Sequence, residues 1–190
     1  METVSCVIPA AGRSQRMGQW KPLLSFSGAT IIQAVVDVAL AACTRVIVVT
    51  GYRGQEISAL FSGNPRITVA DNPEWEAGMF SSIQRGAASV DSERFFITLG
   101  DKPFIRPDVY AFLLQHPPAD AIFPVHAGQR GHPVLLGRAV RDAVLAADAR
   151  TGSMPQVISR FTVREVPWPD DSVLRDIDTP EDYAGIRAPL

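Results

Sequence analysis

The sequence predicts a three-layer α/β fold with a mostly parallel central sheet and helices on both faces. Three observations predict it. Short β-rich runs alternate with helix-patterned segments along the chain. Several of those runs are apolar almost without interruption, as expected of parallel strands covered on both sides. Three of them end in glycine-bearing loops, which in such a sheet converge on the edge where ligands bind. With 190 residues the chain is long enough for one domain with a full core and too short for two ordinary ones, so residues 1–190 are expected to form a single domain.

In chain order, the predicted strands are VSCVIP at 4–9, RVIVVT at 45–50, RITVA at 66–70, RFFITL at 94–99 and AIFPVH at 121–126. Between the first two, TIIQAVVDVALAA sets Ile32, Val35, Val36, Ala39 and Leu40 on one helical stripe. GMFSSIQRGAASV does the same with Phe80, Ile83, Ala87 and Val90. RPDVYAFLLQ opens with Pro107 and Asp108 near a helix start, and Val109, Phe112 and Leu113 follow at helical spacing. The β-α-β-α-β order implies a mostly parallel sheet with helices on both faces. Beyond Pro124, GQRGHPVLLG predicts a turn and a short strand, AVRDAVLAADA a helix, and VLRDID a late strand leading into TPEDYAGI. No internal repeat or low-complexity linker interrupts the pattern.

Composition narrows the function classes. Hydrophobic residues make up 46% and charged residues 20%, typical of a globular chain. A net charge of −2 gives no basic excess with which to neutralise a nucleic-acid backbone, although a local site for one small anion is compatible with it. The two cysteines, Cys6 and Cys43, lie in or at the end of apolar runs and read as small core residues rather than a disulfide. No signal-peptide pattern opens the chain and no apolar run approaches the ~20 residues of a membrane span, so the expected compartment is the cytoplasm.

The stretch IPAAGRSQRMGQWK, Ile8 to Lys21, follows the first strand. Gly12 and Gly18 bracket a loop able to present successive N–H groups to an anion, with Arg13, Arg16 and Lys21 adding positive charge. Taken alone, it is either a solvated basic loop or a phosphate cradle. It matches neither G-x-x-x-x-G-K-[ST] nor G-x-G-x-x-G, which leaves an ATPase P-loop and a dinucleotide turn unsupported. Asp101, in LGDKPFI just past a strand, suits either a turn or Mg²⁺, which takes one or two protein carboxylates plus substrate phosphates. Asp176 and Asp178 form a second acidic pair, and Asp178-Thr179-Pro180 is also a helix-start signature. A basic loop with separated carboxylates is what phosphoryl-transfer chemistry uses. With three histidines and no paired ligand spacing, His132 reads as structural or substrate-contacting rather than zinc-binding. Ser14, Ser81 and Ser82 form no G-x-S-x-G elbow.

These residues carry a resemblance. AAGRSQRMGQWKPLL looks like the A-A-G-x-S-x-R-M-G-x-x-K signature of the MobA-like nucleotidyltransferases, and VTGYRG, NPEWEAGMFSSIQRG, GDKP, GHPVLL and DIDTPEDY extend the similarity over nearly the whole chain. Within that family it is most similar to the molybdenum cofactor cytidylyltransferase branch. The resemblance implies a Rossmann-like nucleotidyltransferase fold and Mg²⁺-dependent transfer of CMP from CTP to molybdopterin, with release of pyrophosphate. It also implies a molybdenum hydroxylase of the xanthine dehydrogenase type as recipient of the product.

By carry-over, Ala10, Ala11, Gly12, Arg13 and Ser14 contact the nucleotide, Arg16 and Lys21 the triphosphate, and Gly78 and Ser82 the base and ribose. Asp101 holds the metal, with Asp178 or Asp176 assisting; from the residues themselves, Lys102 and His132 are expected to contact substrate. Ala10 and Ala11 stand where guanylyl-transferring relatives carry glycine, which implies a pocket narrowed for cytosine. Lys102 departs from the family's usual methionine and is expected to face substrate phosphate or a carboxylate such as Asp176. Pro9 before the two alanines also resembles the cytidylyltransferases of isoprenoid synthesis, which is the alternative activity. A cofactor-binding accessory protein or an oxidoreductase relative are the rival classes; the latter lacks a G-x-G-x-x-G.

Overall fold

The computed structural model describes residues 3–187. Strand β1, Val4–Pro9, is buried along its whole length and pairs in parallel with β4 (Arg45–Thr50) and β6 (Arg94–Ile97). The short hairpin β2 (Ser25–Phe26) and β3 (Ala29–Thr30) precedes helix α1 (Ile31–Ala42), whose start is fixed by a capping box between Thr30 and Gln33. Helix α2 (Gly54–Phe61) leads to β5 (Ile67–Asp71), which extends the sheet in parallel beyond β4. Helix α3 (Met79–Ala87) then carries the chain back to β6 on the opposite side of β1.

Alternate residues of β1 serve different cores, as the two-residue repeat of a strand requires. Val4, Cys6 and Ile8 join one cluster with residues of α1, α2 and the later helix α4 (Pro107–Gln115). Val7 joins the other, with Phe80 and Ile83 of α3. Helix α3 lies so near the sheet that a Cβ at Gly86 would overlap Val7. The two clusters are the two faces of the three-layer fold.

The far half of the sheet is mixed. Helix α4 delivers β7 (Ala121–His126), after which β8 (Gln129–Arg130) folds back on it and β9 (Val134–Gly137) inserts between β7 and β6, antiparallel to both. The connection from β7 to β9 has no crossover helix, and a strand reached by so short a return must run antiparallel. Helices α5 (Arg138–Ala146) and α6 (Met154–Ile158) follow, then β10 (Val163–Pro167), parallel to β7 at the sheet edge, and α7 (Pro180–Arg187). The full order is β10-β7-β9-β6-β1-β4-β5, with β8 beside β7.

One predicted strand is absent. VLRDID starts at the last residue of a 3-10 turn, Asp171–Val173, and continues as irregular backbone. Its polar groups bond to other loops instead of a ladder: the Val173 carbonyl accepts from His132 N at 2.9 Å, and Ile177 N donates to the Asp101 carbonyl at 3.0 Å. The last strand comes earlier, in VREVP. Cys6 and Cys43 are both free and buried. Among the described residues no helix is long and apolar enough to cross a membrane.

Candidate active site

The chain reverses its direction of travel across the sheet between β1 and β6, and the residues just past those two strands face one cleft. After Pro9 the backbone stays close to the sheet: Ala10 N donates to the Val49 carbonyl at 2.8 Å, and Gly100 N to the Pro9 carbonyl at 3.3 Å. A Cβ at Gly100 would stand 3.1 Å from that carbonyl, so glycine permits the two loops to meet.

The loop from Gly12 to Lys21 is held open by its own side chains. Ser14 sits in the left-handed region (φ 55°) and caps a 3-10 turn over Gln15–Met17, which ends at Gly18 with φ 66°. The Ser14 hydroxyl accepts from Lys21 N at 3.1 Å, and Trp20 Nε1 donates to the Gly12 carbonyl at 3.2 Å. Tyr52 N donates to the Ala11 carbonyl at 3.0 Å, tying in the GYRG turn after β4. The Arg13 guanidinium lies 4.8 Å from the Trp75 ring and 5.5 Å from that of Tyr52, and pairs with Glu76 at 2.6 Å.

At the other end of the cleft four charged side chains interlock. Lys21 Nζ lies 2.8 Å from Asp101 Oδ2 and 2.8 Å from Asp178 Oδ1, while Arg16 Nη1 lies 2.7 Å from Asp178 Oδ2. Burial pushes the Lys21 pKa down, but the Asp101 and Asp178 carboxylates outweigh it and the net shift is upward. The Lys21 hydrogen bond, reinforced by the charges of Lys21 and Arg16, holds Asp178 below the usual carboxylate range. The second oxygen of Asp101, Oδ1, is buried with no hydrogen-bond partner. Such an oxygen is costly to leave bare, and a cation beside it removes the cost. Asp101 and Asp178 are brought together by the Ile177–Asp101 bond and by Ile177 itself, which is fully buried with Met17 and Ile31.

The cleft has a volume of about 570 Å³. Its walls include Ala10, Ala11, Gly12, Arg13 and Ser14 from the first loop, together with Arg16 and Lys21. Gly78, Ser82, Asp101 and Asp178 complete it from distant parts of the chain.

Two residues expected to contact substrate do not line this cleft. Lys102 is buried, and its ammonium donates to the Leu174 carbonyl at 2.7 Å and lies 3.5 Å from Asp176, so it braces the Asp176–Asp178 segment instead of facing the cleft. His132 lines a separate apolar cavity. The sequence reading also missed Asn72, Trp75 and Glu76. Asn72 is buried, and its Nδ2 donates to Ser81 Oγ and Ser82 Oγ at 3.0 and 3.1 Å, which fixes the serine that lines the cleft. The available signal was NPEWEAG, a polar stretch with a buried-type tryptophan at a strand's carboxyl end.

A glycine-bracketed cradle after the first strand, with an aspartate at the end of its neighbour, is the arrangement of a nucleotide-triphosphate site. The sequence profile of the MobA-like NTP transferase domain matches residues 6–165. The chain belongs to that family. Among relatives of this MobA-like domain, the molybdenum cofactor cytidylyltransferase of Escherichia coli (strain K12) is 33% identical over 96% of this chain and 95% of its own. A probable molybdenum cofactor guanylyltransferase of Nostoc sp. is 26% identical, covering 98% of this chain and 92% of its own. A nucleotidyl transferase from Methanothermobacter thermautotroptrophicus superposes with a TM-score of 0.82 at 25% identity, over 98% of this chain and 97% of that one. The MobA-like family and the α/β nucleotidyltransferase fold expected from the sequence both hold.

Proposed function

We propose that this MobA-like domain transfers CMP from CTP to the terminal phosphate of molybdopterin and releases pyrophosphate. The observation that carries the reading is the Asp101–Lys21–Asp178 bridge at the end of the cradle, with one Asp101 oxygen left bare. The identity of the cytidylyltransferase relative, over nearly its full length, supports the choice of nucleotide and acceptor.

Asp101 and Asp178 are the residues that would hold Mg²⁺. Two carboxylates suit an ion that takes its remaining ligands from phosphates and water, and among the described residues no cluster of three or more such ligands favours another metal. When bound, Mg²⁺ supplies charge to the phosphate oxygens as a Lewis acid. Lys21 and Arg16, released from their carboxylates, would lie along the β- and γ-phosphates and offset the charge that develops on the leaving pyrophosphate. The loop N–H groups around Gly12 and Ser14 would hold the triphosphate against the strand ends. Gly78 and Ser82 would border the base and ribose, and the terminal phosphate of the acceptor would attack the α-phosphorus in line, without a covalent enzyme intermediate.

On this reading the whole chain acts as one nucleotidyltransferase domain in the cytoplasm, and a xanthine dehydrogenase type hydroxylase receives the product. The alternative, a cytidylyltransferase of isoprenoid synthesis, is favoured by no specific feature of this cleft. The test is pyrophosphate release from CTP and Mg²⁺ with and without molybdopterin. Acceptor-dependent release supports the reading, and release that is indifferent to molybdopterin contradicts it.

A further inference from the structure

Asn72 directly follows β5, and its main chain is tied on both sides. Its N–H donates to the Thr50 carbonyl at 2.8 Å, and its carbonyl accepts from Trp75 N at 3.3 Å. The side chain is buried behind the cleft wall. Its Oδ1 accepts from Glu74 N at 3.0 Å. A backbone N–H can only donate, so this bond fixes which end of the amide is oxygen and which is nitrogen. The nitrogen end therefore faces the serines of α3, with Nδ2 3.0 Å from Ser81 Oγ and 3.1 Å from Ser82 Oγ. Both amide protons are engaged.

The two serines dispose of their own protons differently. Ser81 Oγ donates to the Gly78 carbonyl at 2.8 Å, with the Glu74 carbonyl 3.2 Å away. Ser82 is 3% exposed and lines the cleft. Its oxygen already accepts from Asn72, and among the described residues no group accepts its proton. A buried hydroxyl proton without an acceptor is costly, and an acceptor on a ligand removes that cost. Ribose hydroxyls both donate and accept, so they are indifferent to this polarity. The edge of a pyrimidine is not. N3 of cytosine is a bare acceptor, whereas N3 of uracil carries a proton.

We propose that Asn72 is a positioning residue that sets the Ser82 hydroxyl as a donor toward N3 of the bound base, and so favours cytosine over uracil. The inference rests on the reading of the cleft as a nucleotide site. It adds a selection that the methyls of Ala10 and Ala11 cannot make by size, because the two pyrimidines have the same shape.

The test reverses the polarity without changing the shape. In Asn72→Asp the carboxylate still accepts from Glu74 N, but its other oxygen accepts the Ser82 proton and turns the hydroxyl's lone pair toward the base. CTP and UTP binding to the full-length protein are measured by calorimetry with Mg²⁺ and no acceptor, at about pH 8, where the carboxylate is ionised. The unmodified protein is expected to bind CTP roughly tenfold or more tightly than UTP. In Asn72→Asp that ratio should fall by roughly tenfold or more, to parity or beyond. Ser82→Ala, which deletes the hydroxyl, and Asn72→Ala, which frees it to turn either way, should bring the two affinities to within about threefold of each other. Should the aspartate variant fail to fold, the two alanine variants carry the test.

Equal affinities in the unmodified protein, or an unchanged ratio in the folded variants, overturn the assignment. An equal loss of both nucleotides in Asn72→Asp also overturns it, since a merely structural asparagine would give that result. The two readings separate. If molybdopterin-dependent pyrophosphate release occurs and the ratio does not move, the role of Asn72 fails and CMP transfer stands. If the ratio moves as expected but no nucleotide is turned over, CMP transfer fails and the role of Asn72 stands.

Discussion

Replacing Lys21 with methionine removes the ammonium that bridges two carboxylates while keeping most of the side chain's apolar stem. Both hydrogen bonds lost are charge-assisted and 2.8 Å long, a type worth about 1.5–3 kcal/mol each. The loss of a buried partner costs about 3–5 kcal/mol when the remaining charge is fully enclosed. Here Lys21 is 13% exposed but Asp101 and Asp178 are 26% and 22% exposed, and Arg16 still covers one oxygen of Asp178. Solvent and Arg16 therefore take up part of the loss, and about 2–3 kcal/mol remains. For a chain of this size that is a fall in Tm of roughly 5–10 °C.

The same substitution leaves both carboxylates open to a divalent ion. Mn²⁺ should therefore raise the Tm of Lys21→Met by more than it raises that of the unmodified protein, in which the ion must displace an ammonium. Pyrophosphate release should fall more than tenfold in kcat/KM, at least about 1.4 kcal/mol of transition-state stabilisation. Differential scanning fluorimetry with and without Mn²⁺ reads the first two effects. A variant that melts like the unmodified protein and responds to Mn²⁺ no more strongly would refute the bridge as an element of the site.

Three further outcomes are expected. Asp101→Ala should abolish metal-dependent turnover and still fold, as checked by circular dichroism and pyrophosphate assay, and near-normal turnover would remove Asp101 from the metal site. Ala10 and Ala11 are both buried and both line the cleft, so substituting glycine at both should relax the preference for CTP over GTP; a methyl-sized clash is worth ~1–3 kcal/mol, or roughly 10–200-fold, and an unchanged preference in the double variant would argue against it. Stability should be insensitive to the Lys21–Asp178 pair from about pH 4 to 10. The raised Lys21 contributes fully below its ordinary 10.5 and loses its contribution only as pH rises through its folded value, while the depressed Asp178 contributes above its ordinary 3.8 and loses only as pH falls through its own. His132 is depressed from 6.5 to about 3, so its contribution is complete above pH 6.5 and declines below it by at most about 1.4 kcal/mol per pH unit. Urea midpoints at pH 7 and 5 should show this fall, and His132→Gln should flatten it.

The fold and the cleft were legible in the sequence to different depths. Apolar runs such as VSCVIP and RVIVVT announce buried parallel strands because both faces of each strand meet a core, and their observed bounds match. The segment VREVP was passed over because only Val166 is deeply buried at this edge, and an edge strand with Arg164 and Glu165 carries little apolar signal. VLRDID misled for the opposite reason: its apolar residues are buried by loop packing, and no neighbouring strand supplies a ladder. In the cleft, the glycine-bracketed basic loop and Asp101 could be found because their residue types are unusual at a strand end. Of the partners expected for Lys102, substrate phosphate or a carboxylate such as Asp176, the carboxylate is the one found, whereas the Leu174 carbonyl reaches its ammonium only through the tertiary structure. Asn72 could not be singled out within NPEWEAG, because its partners Ser81 and Ser82 meet it only once the loop before α3 has folded.

The most direct test of the account is a competition in one vessel. The unmodified protein, Mg²⁺, molybdopterin and equimolar CTP and GTP are mixed, and the pterin products are resolved by mass. The account predicts a pterin dinucleotide carrying CMP in at least tenfold excess, with one pyrophosphate released for each. Equal amounts of the cytidine and guanosine products, or pyrophosphate release with no dinucleotide formed, would contradict it.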